Sequence, residues 1–435
     1  MSERTLTAFI NGRPIGMLRD VNDIWEFRYD DNWLVGTRSF ALCPSLPLTR
    51  EPLLDQSTRR PVQWYFDNLL PEEGQRVLLA RDADIDAADA FALLEYYGSE
   101  SAGSLTLVPA GSSLPEEGKL RLLGDAALSA RIRNLPNVPL NHGATKHMSL
   151  AGAQHKLPVV LQGGTLFEPA GNWPSTHILK PNHPERDYPH SVINEWFVMR
   201  LAAAVGLEVP PVERRYVPEP VYLIERFDRI RVSEHWTRRH AIDACQLLGI
   251  DRAFKYRQSS IESMARLANA CRSPAPARTR LFSWLVFNVL VGNADAHLKN
   301  LSFLVSHEGV QPAPFYDLLN TAVYETRVFD KTGWPDQTQF AWPIMGIANF
   351  SGMTRNILFD AAAVLNLQKS TAERLLESIR GRIQATSEEL CLQVEAENKV
   401  LLETRPELAA TLGGEMRCLR AILHTVIQEM AQKLA

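Results

Sequence analysis

The chain has 435 residues, 45% of them apolar and 22% charged, so two or three folded subdomains are expected and no long disordered tail. A formal net charge of -4 gives no whole-protein attraction to nucleic acid, so any DNA contact must be local or carried by a partner. Five cysteines without paired spacing (Cys43, Cys245, Cys271, Cys391 and Cys418) and the lack of an apolar leader or spanning stretch predict reduced thiols, a cytoplasmic location and no membrane association.

Strands and turns are predicted first. Residues 5–10 are apolar with small polar interruptions, Asn11-Gly12 is a turn dipeptide, and residues 24–29 alternate aromatic with polar side chains. From 62 to 79 and from 87 to 97 the apolar spacing changes to three and four, with Pro71 breaking the first run, which predicts short helices covering that sheet. Residues 98–108 return to strand character, and the Gly, Ser and Pro content of 110–117 marks a linker. Short strands follow at 157–161, 176–179 and 221–224, with a helix over 192–205. Past residue 242 the pattern is mostly helical, notably at 281–290 and from 356 onward.

The chemistry is concentrated in Val291-Gly292-Asn293-Ala294-Asp295-Ala296-His297-Leu298-Lys299-Asn300, directly after an apolar helix. Phosphoryl transfer needs a carboxylate to orient and deprotonate an attacking hydroxyl, and an amide oxygen nearby to hold magnesium. Asp295 and Asn300 stand at the interval that these two tasks have in protein-kinase loops. After a strand-like segment at 301–305 and a turn, Ala313-Pro314-Phe315-Tyr316-Asp317 supplies a second metal-binding carboxylate in Asp317. His297 contacts the phosphates or braces the loop. Taken singly these residues read as turn formers or caps; the ordered set is what points to kinase chemistry.

Three upstream segments complete the pattern. Ser149 to Lys156 is a loop whose small residues admit backbone amides to phosphate oxygens, although it is neither a Walker loop nor a full kinase glycine-rich loop. Lys180 ends a strand just before Pro181, where its ammonium can pair with ATP phosphates, and Glu195 on the following helix is its candidate clamp. Glu225-Arg226-Phe227-Asp228 reads either as a hinge that presents backbone groups to adenine or as an ion-paired strand end, and its position between the β-rich and α-rich parts favours the hinge.

Together these segments resemble the HipA family of bacterial toxin kinases over nearly the whole chain. Ser149 to Lys156 is similar to its phosphate loop, Thr176-His177-Ile178-Leu179-Lys180 to its ATP-lysine strand, and residues 64–71 and 98–103 to its amino-terminal subdomain. The resemblance implies an α+β, bilobal protein-kinase-like fold, with a β-rich amino-terminal lobe that includes a small extra subdomain and an α-rich carboxyl-terminal lobe. The expected divisions are 1–110, 111–240 and 241–435. It further implies ATP and Mg2+ as cofactors and Asp295 as the catalytic base. ATP contacts are implied from Ala151, Gly152, Ala153, Gln154, His155, Lys156, Lys180, Glu225, Arg226, Phe227, His297, Lys299, Asn300, Tyr316 and Asp317, with the metal on Asn300 and Asp317.

By the same resemblance Ser149 is an inhibitory autophosphorylation site, because a dianion there would expel the loop from the nucleotide pocket. A HipB-type helix-turn-helix antitoxin is the implied partner and carries the complex to operator DNA. The implied substrate is a protein, an aminoacyl-tRNA synthetase such as the glutamyl enzyme, whose modification stops translation. His155 stands where the family commonly has an acidic residue, and 230–240 is unusually arginine-rich. Two other readings fit fewer of the residues: a small-molecule kinase with the same Asp-x-His-x-x-Asn chemistry, and a catalytically silent corepressor.

Overall fold

Burial alternates through the strand Glu3–Ile10, where Leu6, Ala8 and Ile10 are buried and the residues between them are partly open. This period of two makes it the spine of a five-stranded antiparallel sheet in the order Leu53–Leu54, Ile24–Tyr29, Arg13–Val21, Glu3–Ile10, Leu105–Pro109. Asn11-Gly12 turns between two of its strands, with both residues at positive φ.

The computed structural model describes residues 3–114, 118–144, 146–148, 150–152, 154–233 and 235–435. Ser149 and Ala153 of the expected phosphate loop, and residues 115–117 of the expected linker, lie outside the described residues. The chain forms two units: Met1–Lys180 with Leu223–Lys255 and Leu301–Ala313, and Pro181–Tyr222 with Tyr256–Asn300 and Pro314–Ala435.

In the first unit, the helices Pro61–Asp67 and Ala90–Tyr97 pack on the five-stranded sheet. Phe66 meets Phe27 with ring centroids 5.5 Å apart, and Phe91 meets the edge of Trp25 at 5.2 Å. All four rings are buried, each contributing roughly 1.5–3 kcal/mol by leaving water. Pro71 falls between the helices Pro61–Asp67 and Glu73–Asp82, the break that its ring and missing N–H dictate. Further along, Lys119–Leu122, Thr165–Ala170, Leu157–Gln162 and His177–Pro181 lie side by side in that order, antiparallel. His240–Asp243, Ser302–Ser306 and Gly309–Pro312 form a three-stranded antiparallel sheet.

The second unit is mainly helical. Lys369–Thr404 runs for 36 residues and buries Ala372, Leu376, Ile379, Ile383, Ser387, Leu390 and Val394, a stripe at spacings of three and four. That stripe packs on Ser191–Ala204 and Pro274–Leu290. Ser260 caps Ile261–Ala270 by accepting the N–H of Ser263. A feature the sequence reading did not contain is the hairpin of Gln339–Ile344 and Ile347–Asn349, turned at Met345-Gly346 with both residues at positive φ.

Candidate active site

The loop that carries Asp295 begins where the helix Pro274–Leu290 ends, and buried amides fix its path. Asn288, in the last turn, donates from Nδ2 to the Trp284 carbonyl at 2.8 Å and accepts Nδ2 of Asn293 at 2.7 Å. Asn293 in turn accepts the backbone N–H of Asp295 at 3.0 Å. Gly292 sits at φ +67, and a Cβ there would lie 2.5 Å from Val426 and 2.9 Å from Ala322, so only glycine allows the loop to leave the helix at this angle. The carbonyls of the loop are taken in sequence: Gly292 accepts Ala322 N at 3.0 Å, Ala296 accepts Trp342 Nε1 at 2.9 Å, and Lys299 accepts the Tyr316 hydroxyl at 2.9 Å.

Asp295 is half-buried in the middle of this scaffold. Its carbonyl accepts His297 N at 2.9 Å and Asn300 Nδ2 at 3.0 Å. Because the Asn300 amide is planar, the second bond directs Oδ1, the atom a hard cation takes, to the other side of the group. The carboxylate Oδ1 of Asp295 accepts the Tyr256 hydroxyl at 2.7 Å, and the Tyr256 ring meets the edge of buried His297 with centroids 4.8 Å apart. Lys299 and Asn300 are buried as well.

Asp317 has φ +52, a left-handed conformation that few residues other than glycine, asparagine and aspartate adopt. Just beyond it, Asn194 donates from Nδ2 to the Asn320 carbonyl and accepts Asn320 N at Oδ1, both at 2.8 Å. That reciprocal pair ties the segment after Asp317 to the helix Ser191–Ala204, which carries Glu195. Both carboxylates act on the buried phenol of Tyr222, whose pKa is pushed well above its ordinary value by burial first and then by Glu195 and Asp317, with a hydrogen bond to Glu195. The second unit therefore brings together Asp295, His297, Lys299 and Asn300 on one loop, and Glu195 and Asp317 around one tyrosine.

The remaining expected site residues belong to the first unit. Lys180 is buried near the end of the strand His177–Pro181. Both shoulders of the loop that contains Ser149 are held. On one side Lys146 pairs with Glu100 at 2.7 Å, the Ser99 hydroxyl donates to the His147 carbonyl, and the Tyr96 and His147 rings lie 4.2 Å apart. On the other side Gly152 bridges to Pro71 and accepts Glu72 N at 3.3 Å, while Lys156 Nζ folds back onto the Ala151 carbonyl at 2.5 Å. His155 is buried and Gln154 half-buried.

The segment 225–228 carries the ion pairs that one of its two sequence readings expected. Arg226 is ion-paired: its N–H donates to the Thr176 carbonyl at 2.9 Å, and its guanidinium reaches Asp228 at 2.8 Å and Glu100 at 3.3 Å. Phe227 packs on Ala241, Leu304 and Ala313. Glu100 is fully buried; burial works to raise its pKa, yet Lys146, Arg238, Arg229 and Arg226 hold the carboxyl well below the usual range. The same opposition brings Asp228 to about 2, with burial overcome by Arg226 and Arg229. Gly103 completes this knot: its N–H donates to Asp228 at 2.7 Å, its carbonyl accepts Arg229 at 2.8 Å, and a Cβ would lie 2.7 Å from the Ala241 backbone.

Residues 148–387 match the family model described as the HipA-like C-terminal domain, and residues 6–108 match the HipA N-terminal domain. The chain belongs to the HipA family. Y4mE of Sinorhizobium fredii, which carries a kinase name, is 38% identical over 337 residues, 74% of this chain and 79% of that one. The serine/threonine-protein kinase toxin HipA of Shewanella oneidensis is 31% identical over 360 residues, 77% of this chain and 80% of that one. A structure of a Shewanella oneidensis HipA, HipB and operator DNA complex matches with a TM-score of 0.74 at 27% identity, covering 98% of this chain and 99% of that one. This HipA-family chain is thus a kinase with an α+β, protein-kinase-like fold, as its motifs implied. None of its helices among the described residues is long and apolar enough to cross a membrane.

Tyr256, Asn194, Asn293 and Asn320 were not singled out by sequence reasoning. Asn293 lies inside the loop motif, where the turn to Asp295 gave a usable signal; the other three act across the fold and leave no local trace.

Proposed function

We propose that this HipA-family chain is a toxin that transfers the γ-phosphoryl group of ATP to a serine or threonine of a protein, and that a helix-turn-helix antitoxin restrains it. The observation that carries the reading is the Asp295–Asn300 turn, in which one amide closes the loop through Nδ2, so that its Oδ1 lies on the side away from the Asp295 carbonyl. Asp317, fixed at φ +52, adds an oxygen ligand of the kind magnesium prefers. Magnesium bound with ATP supplies the positive charge that offsets the phosphate oxygens during transfer.

In this reading Asp295 orients the acceptor hydroxyl and takes its proton as the hydroxyl oxygen bonds to phosphorus and the bond to the ADP oxygen breaks. Asn300 and Asp317 hold the metal, Lys180 pairs with phosphate oxygens, and the Ser149 to Lys156 loop covers them. Glu225-Arg226-Phe227-Asp228 is the proposed hinge that presents backbone groups to adenine. Phosphate on Ser149 switches the kinase off, acting on a loop whose two shoulders are held by Glu100 and Glu72. Operator DNA is reached mainly through the antitoxin, as the composition of the Shewanella complex suggests. An aminoacyl-tRNA synthetase is the proposed substrate, and its modification would halt translation.

Brief expression without antitoxin, followed by phosphoproteomics, tests this. Phosphate on a synthetase and on Ser149, with growth arrest that Asp295→Asn abolishes, supports the reading. Arrest with no new phosphoprotein, or label confined to small metabolites, contradicts it.

A further inference from the structure

Asp295 is held differently at its two ends. Its main chain is fixed by Asn293, His297 and Asn300, but none of those bonds restrains rotation of the carboxylate about its last side-chain torsion, which is broad and two-fold. The Tyr256 hydroxyl, 2.7 Å from Oδ1, supplies that restraint. Its own ring is fixed by edge contact with His297, which is buried, at 4.8 Å and 85°. Tyr256 is 39% exposed, so its side chain is in contact with solvent.

We propose that Tyr256 is a positioning residue for phosphoryl transfer: by donating to Oδ1 it fixes the Asp295 carboxylate plane and leaves Oδ2 for the proton of the acceptor hydroxyl. This rests on the kinase reading of Asp295. A carboxylate accepts several hydrogen bonds, so one taken by a tyrosine does not block the other oxygen. The bond is charge-assisted and therefore directional enough to select one rotamer. A general base works only when its oxygen is within hydrogen-bond reach of the acceptor oxygen, about 2.6–3.2 Å between the two heavy atoms, so loss of that rotamer appears in kcat and not in ATP affinity.

The test is a cycle of Tyr256→Phe and Asp295→Asn in the purified full-length chain. Label transfer from γ-labelled ATP to protein in a clarified bacterial lysate is measured, with ADP release without lysate as a second readout. Tyr256→Phe retains the ring against His297, and an unchanged melting temperature checks that the fold is kept. The expected result is a roughly 10-fold to 100-fold fall in kcat with KM for ATP unchanged, and no further fall when Phe is added to Asp295→Asn. Equal falls in both backgrounds, or no fall at all, overturn the proposal. A rise in kcat also overturns it, since the tyrosine would then occupy the acceptor's place. Should Asp295→Asn itself retain the wild-type rate, the kinase assignment of Asp295 fails, an outcome distinct from any involving Tyr256 alone.

Discussion

The side-chain amide of Asn300 donates to the main-chain oxygen of Asp295 at 3.0 Å, so the residue proposed to bind metal also closes the turn that presents the proposed base. Asn300→Ala removes both functions. It should lower ADP formation roughly 100-fold or more at a given magnesium concentration, since even outer partners of metal ligands cost 10–100-fold. Asn300→Asp keeps an oxygen ligand but puts an acceptor against the Asp295 carbonyl, and should fall between Ala and wild type. Titrating magnesium against ADP release checks this; identical magnesium dependence in all three proteins would remove Asn300 from the metal site.

Glu100 joins Lys146, Arg226, Arg229 and Arg238 in the buried knot, leaving Asp228 as the other acidic member. Glu100→Gln keeps the shape and removes the charge, so Lys146 and Arg238 lose the carboxylate they pair with while Arg226 and Arg229 keep Asp228. A loss of about 3–5 kcal/mol is expected, the usual cost of breaking a buried pair from one side. Urea unfolding checks it, and a midpoint unchanged from wild type would show that water already compensates these cations.

Much of the fold could be read from the chain because its local patterns agree with the tertiary result. Leu6, Ala8 and Ile10 alternate as a half-buried strand must, and Pro71 breaks the helical run at the expected place. The hairpin Gln339–Ile344 with Ile347–Asn349 was hidden by Pro343 and by the shift in its register. The loop proposed as catalytic was legible from the ordered set of Asp295, His297, Asn300 and Asp317. Its supports were not: Asn194 and Asn320 are 126 residues apart, and Tyr256 and Asp295 are 39 apart. The ion-paired reading of 225–228 could not name Glu100 as a partner, since nothing local announces that a residue 126 positions before Arg226 will be buried against it.

His240 gives a pH prediction for the first unit. Its ring is buried between the Tyr65 hydroxyl, the Ser104 hydroxyl and the Leu42 carbonyl, and burial lowers its pKa to about 4. An unfolded histidine protonates near 6.5, so between about 6.5 and 4 the unfolded chain binds more protons than the folded one. The His240 contribution is therefore complete above about 6.5 and is lost as pH falls toward 4, by roughly 3 kcal/mol. His240→Gln should flatten the acid limb of stability measured by denaturant unfolding between pH 7 and 5. An equally steep limb in the variant would place the acid sensitivity elsewhere.

The most direct measurement is protein labelling by the purified full-length chain with γ-labelled ATP, comparing wild type, Asp295→Asn and Asp317→Asn, each with magnesium and with chelator. The account predicts label in protein only for wild type with magnesium, and a loss of roughly 2 to 4 decades for Asp295→Asn. Labelling that survives in the Asp295 variant, or that ignores removal of the metal, would contradict it.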